Sequence, residues 1–150
     1  MNKIFLPVLL IVLIIICAKA EADDWTLLGK NNLGTVYYEK YSIKQLPGNI
    51  LTVSVKIVYS AEGVNEFRVA FPEVDKSETI SYTLYTYDLK CSAGSFRSIK
   101  AATYNSSVRA IKGTELDYIE TGQAQWEHIT PNSMMALLSE ASCKYQLYER

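Results

Sequence analysis

TISYTLYTYDLKCSAGSFRSIKAATY, Thr79–Tyr104, reads as two long β-strands joined by a tight turn. Aromatic and β-branched residues crowd both halves, the composition that suits a pleated surface. Ser92-Ala93-Gly94-Ser95 supplies the turn. Successive strand residues point to opposite faces. On the first strand Ile80, Tyr82 and Leu84 therefore share one side, while Tyr85, Tyr87, Leu89 and Cys91 share the other. Both sides are substantially apolar, which predicts a central strand covered on both faces. Asp88 interrupts the apolar run, and its expected partner is Arg97 or a lysine across the hairpin.

Three earlier strands lead into this hairpin. Trp25–Lys30 and Thr35–Glu39 flank an Asn31-Asn32-Leu33-Gly34 turn and should pair with each other. After the Leu46-Pro47-Gly48-Asn49 turn, Leu51, Val53, Val55, Ile57 and Tyr59 alternate with Thr52, Ser54, Lys56 and Val58. That period of two predicts one apolar face and one wet face. Ala61–Lys76 carries Val64, Phe67 and Phe71 at helical spacing, but Gly63 and Pro72 limit it to an irregular crossing with one or two helical turns. Beyond the hairpin, Val108–Ile111 and Trp126–Ile129 read as short extended pieces around a polar loop at 112–123. Thr130-Pro131 marks a helix start, and Met134, Leu137, Leu138 and Ala141 form its apolar face. Cys143 lies off that face, so the helix is expected to unwind near Ser142.

The N-terminus predicts export. Lys3 precedes an unbroken apolar run from Ile4 to Cys17, followed by small residues at Ala18, Ala20 and Ala22. This is the layout of a secretory signal peptide, assigned to residues 1–22, with cleavage after Ala20 or Ala22. The run is too short for a membrane-spanning helix, which needs about 20 apolar residues. The alternatives are an uncleaved signal segment that anchors the domain outside the membrane and, less favoured, lipidation at Cys17, where the bulky Ile16 departs from the usual small residue. Residues 23–150 then make one domain in the periplasm, at the outer-membrane surface or secreted. Fifteen basic and 16 acidic residues are scattered through the chain. No basic stripe exists to neutralise a phosphate backbone, which argues against nucleic acid as a partner. With Cys17 removed, Cys91 and Cys143 form an even pair in an exported protein, the setting in which disulfides persist.

The sequence offers no catalytic constellation, metal site or cofactor motif. His128 is the single histidine and reads as a half-buried structural residue. Phosphate cradles and a G-x-S-x-G elbow are absent. Among 11 tyrosines, Tyr82 and Tyr87, with Arg97, are the candidate binding surface, because tyrosine joins an apolar ring to a polar hydroxyl. Asn105-Ser106-Ser107 matches the N-glycosylation triplet.

Three features occur in order. Trp25 precedes Val36-Tyr37-Tyr38; Tyr87-Asp88-Leu89-Lys90-Cys91 precedes Phe96-Arg97; and Trp126-x-x-Ile129-x-Pro131-x-Ser133 stands ten residues before Cys143. Together they resemble the surface-adhesin protein E family of small exported bacterial proteins, across Trp25 to Cys143. The resemblance implies an α+β fold: a curved antiparallel sheet of about six strands, with a C-terminal helix on its concave face tied by a Cys91–Cys143 disulfide. It also implies a non-enzymatic module that binds host or extracellular-matrix proteins. The alternatives are a periplasmic or envelope-associated structural or assembly protein with an envelope partner and, less favoured, a small hydrolase or redox enzyme.

Overall fold

A computed structural model describes residues 24–145. The signal segment assigned to 1–22, including Cys17, lies outside the described residues. Eight strands form one antiparallel sheet: β1 (Trp25–Asn31), β2 (Gly34–Glu39), β3 (Lys44–Leu46), β4 (Ile50–Tyr59), β5 (Ile80–Lys90), β6 (Ser95–Asn105), β7 (Leu116–Asp117) and β8 (Glu127–His128). The main path is β1-β2-β4-β5-β6-β7, so six strands make the body. The three-residue β3 shares β4's edge with β2, and the two-residue β8 shares β6's edge with β7. The fold is thus the expected antiparallel sheet with a C-terminal helix and one disulfide, with β3 and β7 as unforeseen additions.

Both helices cover one face. The register sets Leu51, Val53 and Val55 directly against Leu89, Tyr87 and Tyr85, and this inner face holds the main core with Val36 and Leu138. Burial drives the Tyr85 and Tyr87 phenols well above the ordinary tyrosine range. A second cluster, Phe67, Val74, Ile80 and Ile111, lies under the other helix, α1 (Ala61–Ala70). Helix α1 is longer than the one or two turns expected. Ser60 caps it, its hydroxyl accepting from the Gly63 N–H at 3.1 Å. Gly63, which reads as a weak point in the sequence, is what lets α1 dock. A Cβ there would lie 1.9 Å from the Leu33 carbonyl oxygen.

Helix α2 (Met134–Tyr145) differs from expectation at both ends. It starts at Met134 rather than Thr130, because Asn132 adopts φ 60° and the Ser133 hydroxyl takes the capping bond from the Ala136 N–H at 3.1 Å. It also continues through Cys143 without unwinding. The apolar stripe is rotated: Leu138 and Ser142 are buried while Leu137 is 46% exposed. Ser142 and Cys143 are only 100° apart on the helix, so the rotation brings Cys143 to the sheet, with its Cα 5.9 Å from that of Cys91. Cross-linking residues 52 apart stabilises the fold by about 4 kcal/mol in the chain-entropy view.

The local faces of the hairpin also need correction. Register shifts fall between Ile80 and Tyr82 and between Thr86 and Tyr87. The first turns Ile80 inward to Phe67, so Ile80 does not share a side with Tyr82. Val108–Ile111 is no strand; only a single bridge from Tyr104 to Ala110 forms there, with Val108 at φ 60°.

Candidate functional site

The opposite face of the sheet carries neither helix. Residues that face one another across strands share a face, so the register defines rows on it. One row runs Leu27, Tyr37, Lys56, Leu84, Ala102, and the next runs Lys30, Thr35, Val58, Tyr82, Tyr104. Tyr82 and Tyr104 stack with centroids 5.1 Å apart and planes 12° from parallel. The Lys56 ammonium sits 4.7 Å from the Tyr82 ring centroid and 5.5 Å from that of Trp25, a cation held between two ring faces. Leu27 is 55% exposed at the β1 margin. Large rings and apolar side chains therefore remain on a face that neither helix packs against.

A polar knot lies farther along the same face. Asp88 is 2% exposed and sits between Thr52 on β4 and Arg97 on β6. Arg97 donates from Nε at 3.0 Å and Nη2 at 2.8 Å to Asp88 Oδ2, and the Thr52 hydroxyl donates to Oδ1. A buried carboxylate must be paired, and this one is engaged through both oxygens. Trp126 covers the pair. Its ring lies 4.7 Å from the Arg97 guanidinium carbon and 4.0 Å from the Lys90 ammonium.

Beside β6 the 112–123 loop rises to form an open groove of about 590 Å³, with Leu84, Ala102, Tyr104 and Leu116 among its lining residues. Asp117 shapes its wall. The Asp117 carboxylate accepts the Ile119 and Glu120 N–H groups at 3.1 and 3.0 Å and pairs with Lys100 at 3.3 Å. The Glu120 N–H, then the lysine, holds its pKa below the usual carboxylate range. Glu115 and Glu120 also line the groove, and among the described residues their carboxylates make no ion pair.

The three residues singled out as a binding surface do not lie together. Tyr82 is on the outer face. Tyr87 points into the core, stacked on Tyr85 and edge-on to Phe96. Arg97 is on the outer face but committed to Asp88 beneath Trp126. His128 is exposed on β8 rather than half-buried, because Trp126 is the residue of that segment that turns onto the sheet. The glycosylation triplet is closed. Asn105 is buried, its amide donates to Glu78 at 3.1 Å and its oxygen accepts the Ser107 and Arg109 N–H groups. Among the described residues no group of three His, Cys, Asp or Glu could hold a metal ion.

Sequence reasoning passed over Trp25, Tyr37, Lys56 and Tyr104 as members of one surface. The available signal was the wet half of β4, where Lys56 and Val58 mark the face their neighbours share. The surface-adhesin protein E family model matches residues 25–144. No curated protein and no solved structure matches the chain.

Proposed function

The chain belongs to the surface-adhesin protein E family, and from that membership we propose an exported, non-enzymatic binding module that holds a protein ligand on the helix-free face of its sheet. In this reading the segment 1–22 directs export and is removed, and the ligand is a host or extracellular-matrix protein. One observation carries the choice of face. Trp25, Tyr37, Tyr82 and Tyr104 stand together on a side to which neither helix contributes. Aromatic side chains of this kind are the usual anchors of protein interfaces. Tyr82 remains a contact residue in this reading, Arg97 holds the neighbouring surface in place, and Tyr87 supports the sheet from behind.

The test is capture of the purified exported protein on surfaces coated with matrix proteins, compared with a Tyr82→Ala/Tyr104→Ala variant of unchanged circular dichroism. The expected result is saturable capture by at least one matrix protein, weakened about tenfold or more by the double substitution. Capture that ignores the substitution would refute the face. Protease shaving of intact cells tests the compartment: a protein digested from outside is available to a host ligand, whereas one fully protected would serve an envelope partner instead.

A further inference from the structure

We propose that the groove beside β6 is a subsite for a basic side chain of the ligand protein, an arginine or lysine set beyond an apolar residue. This deepens the binding reading above and rests on it. The groove combines an apolar floor with uncompensated negative charge. Leu84, Ala102 and Leu116 supply the floor, and three carboxylates, Glu115, Asp117 and Glu120, face one cation, Lys100. Asp117 is already committed to Lys100 and to two backbone N–H groups, so it builds the wall. Glu115 and Glu120 are left to receive a partner.

The surroundings give the subsite a polarity. Leu84, in the groove floor, is directly opposite Lys56 on β4. Strands lie about 4.8 Å apart, so the lysine stands about 10 Å from Ala102, across two strand spacings. A segment crossing the strands along this row meets a cation, then apolar floor, then carboxylates. The complementary ligand presents an acidic group, apolar residues and a basic group in that order. Long basic side chains suit the far position because their alkyl stems lie on apolar surface while the charged head reaches acid. Complementary poles of this kind fix the direction in which a ligand lies and exclude the reverse.

The probe is a short fluorescent peptide carrying glutamate and arginine on either side of apolar residues, alongside a counterpart with glutamine in place of the arginine. Anisotropy titrations use the exported protein and its Glu115→Gln/Glu120→Gln variant, two exposed positions. The arginine peptide should bind about tenfold or more tightly than its counterpart at low salt, and the glutamate variant should erase that difference. A Lys56→Glu variant should weaken the arginine peptide as well. Equal binding of the two peptides, a preference that survives the glutamate substitutions, or no binding of either peptide overturns the subsite. Matrix-protein capture that proceeds unchanged in the glutamate variant removes the subsite but leaves the binding face standing. Peptide discrimination without any matrix capture does the opposite.

Discussion

The two faces of one sheet differ in how their tyrosines are used. Tyr85 and Tyr87 on the inner face stack on each other and sit beneath helix α2 and its neighbours, so their phenols are pushed toward the neutral form. Tyr82 and Tyr104 on the outer face also stack, yet neither helix covers them. The residue type is the same and both pairs stack 12° from parallel, one along β5 and the other across β5 and β6; what sets them apart is the covering element. That element is attached by two devices: the stripe around Leu138 and the bridge from Cys143 to Cys91. These four tyrosines are therefore core where a helix is tied down and surface where none is.

The largest break in this contrast comes from cutting the tie. Replacing Cys91 or Cys143 with serine should each cost about 4 kcal/mol in urea unfolding, since either loss opens the same loop. The two variants should match each other. If one is markedly milder, the helix is held by something other than the bridge. A smaller break tests the outer face, where stability rests on the polar knot. Asp88→Ala strips Arg97 of its partner beneath Trp126 and should cost about 2 kcal/mol. It should also change the tryptophan fluorescence of the folded protein, because the Arg97 guanidinium under the Trp126 ring is no longer held by the carboxylate. An unchanged unfolding midpoint would mean that the knot orders the surface without stabilising it.

Much of this is legible in the sequence, for a physical reason. Strand alternation, a helical stripe and an even cysteine pair are properties of local sequence, and they correctly placed the β4 core face, the hairpin, the terminal helix and the Cys91–Cys143 link. Asp88 was also readable, since it lies before the register shift and pairs with Arg97 where the turn puts it. What escaped depends on bulges. Counting back from Lys90 opposite Ser95 would set Tyr82 against Thr103, but the extra residue at Ile99 moves Tyr82 to Tyr104. That single insertion keeps Ala101 and Thr103 inward and sends Lys100, Ala102 and Tyr104 outward. It creates both the tyrosine stack and the groove floor. The bulge shifts the alternation by one residue, but Ser98, Ala101, Ala102 and Thr103 are small or polar on both faces and hide the shift, so the outer surface could not be assembled from the pattern alone. The same holds for the rotation of α2, which is decided by what Leu138 packs against and not by which leucine fits a helical wheel better.

The finest test uses adjacent residues of one type. Leu27 and Leu28 are neighbours at a bulge in β1, with Leu27 opposite Tyr37 on the outer face and Leu28 packed into the main core. If the faces differ as described, Leu28→Ala should be clearly destabilising, because it removes buried methyl groups that the core cannot recover. Leu27→Ala should change stability by no more than about 0.5 kcal/mol, the usual range for an exposed position. Yet Leu27 begins the row that continues through Tyr37 and Lys56, so its loss should still weaken capture of a ligand. The decisive result is the split: Leu28 moving the unfolding curve, and Leu27 moving only the binding curve. Were Leu27 silent in both, the ligand-holding surface would end at Tyr37 and the β1 margin would lie outside it.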